Sequence, residues 1–411
     1  MEMSEDVVII GAGISGLATA LGLHREGVRS LVVESSEGLR NTGFALSLWT
    51  NGWRALDALG IGDCLRQHSL QISEYQVFSA DSGHPTAAVP LQLHKNQIFE
   101  SRCLRRKLLL ETLNKELPPA TIRYSSKVVW IEESGMFKLV HLSDGSVIKA
   151  KVLIGCDGVN SMVAKWLGLQ NAVDSKRSAI RGFVEYAHGY EPKIYAFFGG
   201  GVRFGFLPCD DNALYWFCTY NQSVAHFDES EAHDPIILKK FVLSKAKDVS
   251  EEVTDILERT PLHSISSSKL KLRLPWNVLL GDIARDNVCV AGDALHPMTP
   301  DLGQGGCSAL EDSIVLARCL AGAFLGKRPI RDDDDDDGDD DGFKRIKESL
   351  EKYTKQRRWR SFVLITAAYL TGFVQESNNR VISFLREKFL IHHTLRTVLC
   401  IADFDCGKLL L

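Results

Sequence analysis

A glycine-rich turn close to the start of the chain has the residue types and spacing that could hold a pyrophosphate. Its residues are Gly11, Ala12, Gly13, Ile14, Ser15 and Gly16. The turn follows an apolar, strand-like stretch at 7–10 and opens a helix-like stretch at 15–25. There Gly11 would make a tight turn, Gly13 would let the backbone approach the phosphates, and Gly16 would let the helix pack on the strand. The free amide groups that open the helix would face the phosphates.

A carboxylate stands where a nucleotide-binding βαβ unit needs one. Glu34 follows the second strand-like stretch, 31–33. This is close to the offset of ~20 residues at which an acid can accept hydrogen bonds from both ribose hydroxyls. Strand, glycine turn, helix and acid together predict a dinucleotide site rather than a simple tight turn. The pattern does not distinguish FAD from NAD.

A second motif follows another strand-like stretch, 288–291. It consists of Gly292, Asp293, Ala294, Leu295, His296, Pro297, Met298, Thr299, Pro300, Asp301, Leu302, Gly303, Gln304, Gly305 and Gly306. Asp293, at the strand end, could accept a hydrogen bond from a ribityl hydroxyl. The glycine amides that open the next helix could face the flavin carbonyl that gains negative charge on reduction. This arrangement suits a flavin better than a nicotinamide.

A third motif, Asp157-Gly158, also comes directly after an apolar stretch, at 152–156. An acid and a glycine at a strand end could contact a pyrophosphate or brace the neighbouring backbone. Because Asp-Gly is a common turn pair, the motif carries weight only beside the other two.

The elements that must position these motifs alternate between strands and helices, which predicts the α/β class. Short strands rich in Phe, Tyr and Trp alternate with turns from 179 to about 272, a composition that suits a sheet walling an apolar cavity. A strand-like region at 75–93 is expected in a separate sheet, and a helix is expected at 305–323.

The C-terminal part of the chain is expected to be helical after an acidic loop. Nine aspartates lie between Arg331 and Gly342, and their mutual repulsion predicts a solvated surface loop. Helices are predicted at 343–360 and 361–389. The second is amphipathic, which favours packing on the nucleotide-binding part over lying on a membrane.

Composition excludes some function classes. Lys and Arg total 48 against 52 for Asp and Glu, and a net charge of −4 gives no general attraction to nucleic acid or an anionic membrane. The ten cysteines include no C-x-x-C pair that would suggest a zinc site, so we expect reduced, mostly buried thiols. The apolar stretch at 361–374 is shorter than the ~20 residues of a membrane span. The acidic start of the chain predicts a cytoplasmic location. The oligomeric state stays open.

In this order and spacing, the three motifs resemble those of the class A flavoprotein monooxygenases, the group of para-hydroxybenzoate hydroxylase, salicylate hydroxylase and zeaxanthin epoxidase. The similarity is greatest to plant monooxygenases of the salicylate-hydroxylase-like type. It spans residues from about 5 to 330, and the long string at 292–306 makes it specific. The expected fold is a Rossmann-type FAD-binding domain with an inserted mixed β-sheet substrate domain and a C-terminal helical segment.

The expected boundaries divide the chain into four parts. Residues 1–75, 100–180 and 275–330 form the FAD-binding domain, and 76–99 and 181–274 form the substrate-binding domain. The acidic surface loop covers 331–342, and the helical segment covers 343–411.

The resemblance implies roles for individual residues. Asp157 and Gly158 match a motif tied to both FAD and NAD(P)H, while Arg102 and Arg106 match an R-x-x-x-R-x-x-L pattern. Arg102 is the candidate for a flavin-side or phosphate contact. The complete set of predicted cofactor-binding residues is Gly11, Gly13, Ile14, Ser15, Gly16, Glu34, Arg102, Arg106, Asp157, Gly158, Gly292, Asp293, Pro297, Gly303, Gly305 and Gly306. No metal ligand and no catalytic residue is assigned.

One departure from the family pattern concerns the nicotinamide cofactor. The third motif often ends in S-x-V-R, whereas this chain has Ala164 at the arginine position. A basic contact to NAD(P)H is therefore missing or is supplied by Lys165.

The activity implied is that of an FAD-dependent monooxygenase that consumes NAD(P)H and dioxygen. It would hydroxylate or epoxidise a small aromatic or electron-rich substrate through a flavin C4a-hydroperoxide. The protein would exclude water and orient the substrate. Two alternatives stay open, an FAD-binding reductase or dehydrogenase of the same fold and a non-catalytic FAD-binding regulatory protein.

Several other residues have two interpretations each. His296 could relay a proton, but a hydrogen-bonded support for the loop is favoured. Arg203 could anchor a substrate carboxylate, although an ordinary ion pair is favoured. Strand alternation would turn about half of the candidate wall residues inward. These candidates are Arg181, Tyr195, Phe197, Phe198, Arg203 and Trp216.

Overall fold

The computed structural model describes most of the 411 residues. The described ranges are 2–40, 43–80, 83–93, 97–186, 190–199, 201–225, 227–228, 231–246, 249, 251–325, 338–377 and 391–410. The strands are β1 (Glu2–Ile10), β2 (Ser30–Val33), β3 (Ala45–Trp49), β4 (Glu74–Ser79), β5 (Pro85–Pro90), β6 (Gln92–Leu93), β7 (Gln97–Ile98), β8 (Ser101–Arg105), β9 (Ile122–Arg123), β10 (Val128–Ser134), β11 (Phe137–Leu142), β12 (Val147–Gly155), β13 (Val173–Glu185), β14 (Lys193–Gly199), β15 (Val202–Asp210), β16 (Ala213–Asn221), β17 (Ile265–Leu272), β18 (Ala284–Arg285) and β19 (Val288–Val290). The helices are α1 (Ile14–Arg25), α2 (Thr50–Ala58), α3 (Gly62–Arg66), α4 (Arg106–Lys115), α5 (Met162–Trp166), α6 (Pro235–Ala246), α7 (Glu251–Arg259), α8 (Pro275–Leu280), α9 (Gly305–Leu325), α10 (Gly338–Glu376) and α11 (Ile391–Ala402).

The first sheet brings the ends of four parallel strands to one edge. Its order is β10-β11-β12-β1-β2-β9, with β19 beside β12 and β18 beside β19. Ile10 of β1 pairs with Val33 of β2 and with Gly155 of β12, and Gly155 in turn pairs with Val290 of β19. The first motif and Glu34 follow two of these four residues directly, and the second and third motifs follow the other two after one intervening residue. Ligands of open α/β sheets bind outside such carboxyl ends.

Two helices, α1 and α9, pack closely on each other beside this sheet. Both are rich in small residues, and a Cβ built on Gly22 of α1 would lie 2.9 Å from Cβ of Ala317 in α9. Thr19 donates a hydrogen bond to Ser313 across the same interface (3.1 Å). This packing fixes the start of α1 relative to the start of α9, where the first and second motifs lie.

The second sheet has seven strands in the order β17-β13-β16-β15-β14-β4-β5. Its neighbours are antiparallel except β4 and β14, which run parallel. Even-numbered residues of β16, such as Trp216 and Tyr220, pack with Phe241 of α6 and Ile256 of α7. Odd-numbered residues of β16 point to the opposite face, as the alternation of a strand requires.

The expectation of strands and turns alone between 179 and 272 is wrong, because α6 and α7 lie within this region. The pattern was present in the sequence, since Val253, Ile256 and Leu257 recur at helical spacing and are all buried in α7. The second sheet also extends past two predicted boundaries. β4 begins at Glu74 and β13 begins at Val173.

The C-terminal part differs from the prediction in two ways. The acidic stretch does not remain a loop to residue 342, because α10 already begins at Gly338. Acidic residues near a helix N-terminus are favoured by the helix dipole, and Asp341 pairs with Arg345 one turn later (3.1 Å). The helices predicted at 343–360 and 361–389 are one helix as far as Glu376. Residues 331–337 and 378–390 lie outside the described part of the chain.

The predicted packing of the amphipathic helix on the nucleotide-binding part is confirmed for its described portion. Leu364 and Ala368 of α10 belong to the same buried core as Leu17 of α1 and Ile314 of α9. Within the described ranges, the helices are too short or too polar to cross a membrane.

Candidate active site

The turn between β1 and α1 requires glycine at two positions. Gly11 has a φ of +103°, and a Cβ there would lie 2.5 Å from the carbonyl oxygen of Cys156. A Cβ on Gly16 would lie 1.9 Å from the oxygen of Gly11, so the helix can approach the strand only with glycine. A Cβ on Gly13, by contrast, would meet nothing within 4 Å. The helix that begins at Ile14 has no side-chain cap, which leaves its first amides available.

Glu34 is a buried carboxylate held next to this turn. Its Oε2 accepts a hydrogen bond from the amide of Ala12 (2.8 Å), and its Oε1 accepts one from the amide of Ser36 (2.9 Å). Arg40 pairs with the same carboxylate at 3.1 Å. Burial opposes ionisation, but these two amides and the Arg40 guanidinium outweigh it and lower the pKa of Glu34.

Two adjoining cavities lie at the edge where the strand ends converge. One has a volume of about 320 Å³, and the other has a volume of about 370 Å³. Residues that line both are Gly13, Arg106, Cys156 and Gly158. An extended ligand could therefore occupy both cavities and cross between them at the first and third motifs.

Most of the predicted cofactor residues line these cavities. Those on the 320 Å³ cavity are Gly11, Gly13, Glu34, Arg106, Asp157 and Gly158. Those on the 370 Å³ cavity are Gly13, Ile14, Ser15, Arg106, Gly158, Asp293, Gly303, Gly305 and Gly306. Parallel strand ends bring the three motifs together although they are far apart in the sequence.

Three other predicted residues support the cavity from behind. Gly16 packs under Gly11, as described above. Gly292 has a φ of +60°, and a Cβ there would lie 2.7 Å from Cβ of Ser15. Pro297 is buried, and its carbonyl oxygen accepts a hydrogen bond from the amide of Arg273 (2.9 Å). None of the three is among the residues that line the two cavities.

Arg102 is not brought to either cavity. It donates hydrogen bonds to the carbonyl oxygen of Ser69 (2.7 Å) and to Glu100 (2.8 Å), and it stacks on Trp53. Arg106 lines both cavities, because the chain changes from strand to helix between the two arginines and their side chains diverge. The assignment of a flavin-side contact to Arg102 is not supported by this geometry.

Arg106 and Asp293 carry opposite charges at the 370 Å³ cavity. Desolvation by the surrounding protein raises the pKa of Asp293, although its side chain is open to the cavity and Arg106 favours the carboxylate. Burial also lowers the pKa of Arg106, and Asp293 opposes that shift. The pair therefore presents one anion and one cation to a ligand in this cavity.

The comparisons with known proteins agree with this geometry. A family model described as an FAD binding domain matches residues 4–331. Monooxygenase 2 of Arabidopsis thaliana is 49% identical over 410 residues, which is 99% of each chain. Monooxygenase 1 of the same plant is 37% identical over 407 residues, which is 98% of this chain and 99% of the relative. The chain belongs to this family of FAD-dependent monooxygenases.

A solved structure confirms the fold. HpxO of Klebsiella pneumoniae, complexed with FAD and uric acid, has a TM-score of 0.79 and 22% identity, and the match covers 98% of this chain and 96% of HpxO. The predicted α/β fold with an FAD-binding part, a second sheet and a C-terminal helical segment is thus confirmed.

The residues at the two cavities fit FAD. A Cβ would meet no atom within 4 Å at Gly13, Gly158 or Gly305, so the backbone is open to a ligand at all three positions. Two buried polar atoms also lack a protein partner there, Oδ1 of Asp157 and Nε of Arg106. A polyhydroxylated, doubly phosphorylated cofactor can satisfy such groups.

The wall of the 370 Å³ cavity opposite the FAD motifs comes from the second sheet. Its residues from β13 and β16 are Ala179, Arg181, Tyr215, Phe217 and Thr219. They are alternate positions of two paired strands, as the period of two predicts.

Of the six candidate wall residues, only Arg181 lines this cavity. Trp216 lies on the other face and donates to Thr260 (2.9 Å), and Arg203 pairs with Asp301 (3.1 Å), which confirms the ion-pair interpretation. Tyr195 and Phe197 stack on Phe78. Phe198 is a buried core residue.

His296 supports the loop of the second motif, 292–306, from beneath. Its side chain is fully buried, and Nε2 lies 2.6 Å from Oδ2 of Asp312 and 3.1 Å from Oγ of Ser308. It is not among the residues that line the cavities. The favoured interpretation of His296 as a structural support is therefore confirmed by its position.

Sequence reasoning missed Glu311, Asp312 and the arginines of α10 that face them. The available signal was a pair of adjacent acids in an otherwise apolar helix, which implies buried counter-charges. The position of those counter-charges, Arg357 and Arg360, could not be read from the sequence.

Proposed function

We propose that this monooxygenase consumes NAD(P)H and inserts one atom of dioxygen into a small aromatic or electron-rich substrate. The observation that carries the proposal is the junction of the two cavities. A cofactor that enters through the nucleotide motifs would end against the wall formed by the second sheet. Its reactive ring and a substrate would then share the 370 Å³ cavity.

The nucleotide motifs would hold the ADP half of FAD. Glu34 would accept the ribose hydroxyls, and the amides of Ile14 and Ser15 would face the pyrophosphate with the positive end of the α1 dipole. Asp157 and Gly158 would contact the same region, where Oδ1 of Asp157 lacks a protein partner. These assignments follow from the lining of the 320 Å³ cavity and its junction with the other.

The second motif would hold the flavin half. Asp293 would accept a ribityl hydroxyl, and Arg106 would balance its charge from across the cavity. The amides at 303–306 would stabilise negative charge on the reduced ring. Bound FAD supplies the electron transfer from NAD(P)H and the activation of dioxygen.

The second sheet would position the substrate and exclude water. Phe217 gives an apolar surface, and Arg181 presents a guanidinium whose Nη1 donates to the neutral Oγ of Ser268 (2.6 Å). A substrate with an acidic hydroxyl or a carboxylate would suit this wall, because a charge-assisted hydrogen bond fixes orientation. The uric acid in the HpxO structure supports a planar substrate of about the size of uric acid.

The nicotinamide cofactor would contact Lys165 in place of the arginine that the family pattern often has. Ala164 is buried in the core beside Val163, while Lys165 is exposed on the same short helix. The exposed ammonium is available to a transiently bound NAD(P)H, and the buried Ala164 is not.

The test is a reaction of the purified yellow protein under labelled dioxygen. NADH or NADPH is added with a panel of phenolic acids, and the product is analysed for ¹⁸O by mass spectrometry. One labelled oxygen atom in the product supports the proposal. Nicotinamide oxidation that yields only hydrogen peroxide with every substrate indicates a reductase. A flavin that neither nicotinamide reduces indicates a non-catalytic protein.

A further inference from the structure

A buried network of charged groups lies beneath the turn that carries Asp293. Oδ2 of Asp312 accepts a hydrogen bond from the amide of Gly292 (2.8 Å) and lies 2.6 Å from Nε2 of His296. Oδ1 of Asp312 accepts a hydrogen bond from Nε of Arg357 (2.6 Å). The side chains of Asp312, His296 and Arg357 are all 0% exposed. Asp312 therefore joins the turn at 292–296 to a cation of α10.

The charge of this network is balanced by α10. Glu311, next to Asp312, accepts hydrogen bonds from Arg357 (2.7 Å) and Arg360 (2.8 Å). Two buried carboxylates thus face two guanidinium groups. Removing one partner of a buried ion pair is costly, because the remaining charge loses its compensation far from water.

A second residue on the same face of α10 holds the strand that leads into the turn. The hydroxyl of Tyr353 donates a hydrogen bond to the carbonyl oxygen of Val290, the last residue of β19 (2.9 Å). Tyr353 lies four residues before Arg357, so both side chains project from one face of the helix. This face of α10 therefore contacts both β19, which leads into the turn at 292–296, and α9, which follows it.

We propose that Arg357 is a positioning residue for FAD. By neutralising Asp312 it lets that carboxylate hold the Gly292 amide, and the held turn sets the position of Asp293 at the cavity. Since α10 lies beyond residues 4–331, part of the flavin site comes from outside the matched FAD binding domain. The inference rests on the placement of FAD proposed above.

The test compares two methionine variants of neighbouring arginines in the holoenzyme. Arg357→Met removes the cation from the network. Arg358→Met is the matched control, because Arg358 donates instead to backbone carbonyls at 278, 279 and 281. FAD release on dilution is followed by flavin fluorescence, and the reduction potential of the bound flavin is measured with reference dyes.

For Arg357→Met we expect the Kd for FAD to rise about tenfold or more. The flavin potential should move to a more negative value, because an uncompensated carboxylate nearby disfavours reduction. For Arg358→Met we expect both quantities to stay at the wild-type values even if the melting temperature falls. A general loosening of α10 would change both variants alike, and that result overturns the inference.

Two further variants keep the test decisive if Arg357→Met does not fold. Arg357→Met combined with Asp312→Asn removes both members of one ion pair and leaves Glu311 balanced by Arg360, and Arg357→Lys retains the cation without the planar fork. Both should keep a potential close to that of the wild type, with FAD affinity partly recovered. A flavin potential well below the wild-type value in either of these charge-balanced variants overturns the inference. A wild-type protein that holds no flavin overturns the proposed function itself.

Discussion

At the scale of single residues, the glycines of the first motif have different physical requirements. Gly11 has a φ in the left-handed region, and its missing side chain leaves room for the Cys156 carbonyl. Gly13 has a φ of −80°, which any residue can adopt, and nothing in the protein occupies the space of a Cβ there. The fold therefore requires Gly11, whereas only a ligand would require Gly13.

Alanine substitutions should separate these two requirements. Gly11→Ala is expected to destabilise the protein by about 1–3 kcal/mol through backbone strain, with a clash in addition. Gly13→Ala should leave the melting temperature of the flavin-free protein unchanged but raise the Kd for FAD about tenfold or more, since a methyl group would occupy the phosphate space. Thermal unfolding and FAD titration check both expectations. Equal stability losses in the two variants would contradict this account.

Arg181 is expected to select the charge of the ligand in the 370 Å³ cavity. In Arg181→Gln, the Kd for benzoate should rise about tenfold or more, because a hydrogen bond to a charged group is lost. The Kd for the neutral benzamide should change little. Both are measured by the change in flavin absorbance on binding. Arg54→Gln, which removes an exposed pair with Asp403, is the control and should affect neither ligand.

At the scale of secondary-structure elements, the site depends on where four strands end and on how α9 and α10 face each other. The strand ends place the motifs, and the helices hold the turn at 292–296 through buried ion pairs. Burial opposes the ionisation of Glu311 and Asp312. Arg357 and Arg360 outweigh it at Glu311, and His296 and Arg357 outweigh it at Asp312, so the pKa of both carboxyl groups is lowered.

These lowered pKa values predict how the α9–α10 interface responds to acid. A carboxyl whose pKa is lower in the folded state contributes stability above its unfolded pKa, and the contribution is lost as the pH falls through the folded pKa. The ordinary values are 4.5 for Glu311 and 3.8 for Asp312. We therefore expect the contribution of the interface to be constant from neutral pH to about 4.5 and to fall below that.

The measurement is thermal unfolding between pH 7 and pH 3 for the wild type and for the Glu311→Gln, Arg357→Met double variant. Other carboxyl groups titrate in both proteins, so the difference between the two curves isolates this interface. The difference should shrink as the pH falls below about 4.5. A difference that grows with acidification would contradict the lowered pKa values.

At the scale of the whole molecule, one buried carboxylate in the second motif ties the loop of that motif to the second sheet and to the end of α10. Asp301 accepts two hydrogen bonds from Arg177 of β13 (both 2.8 Å) and one from Arg203 of β15 (3.1 Å). Arg177 also donates to Glu376, the last residue of α10 (2.7 Å). The neighbouring Thr299 and Pro300 line the 370 Å³ cavity. We expect a loosening of this junction to let more water into the cavity.

Asp301→Asn should uncouple the reaction. Loss of the charge leaves the buried guanidinium of Arg203 without its carboxylate and leaves Arg177 with Glu376 alone, which costs about 3–5 kcal/mol of stability. Water entering the cavity should raise the ratio of hydrogen peroxide formed to NAD(P)H consumed. Asp210→Asn is the matched control. Asp210 also lies in the second sheet and pairs with Arg105 of β8, but this pair is partly exposed and should be worth about 1 kcal/mol or less. Peroxide assays and thermal unfolding distinguish the two variants.

Local patterns in the sequence were sufficient for much of the site. The glycine turn, Glu34, Asp157 and Asp293 each follow an apolar strand, and parallel strands end at one edge. The predicted cofactor contact of Arg102 is not supported, because Arg102 contacts Ser69 and Glu100 instead. The direction of a side chain near a strand–helix junction depends on its packed surroundings.

The sequence by itself determined the class of fold, the cofactor motifs and the family, since these rest on residue types at short, regular spacings. Only the tertiary structure decided which distant groups meet. Arg177 pairs with Asp301 across 124 positions, and Arg357 pairs with Asp312 across 45. Such pairs leave no periodic trace, because each depends on the packing of whole helices and sheets and not on the spacing of neighbours along the chain.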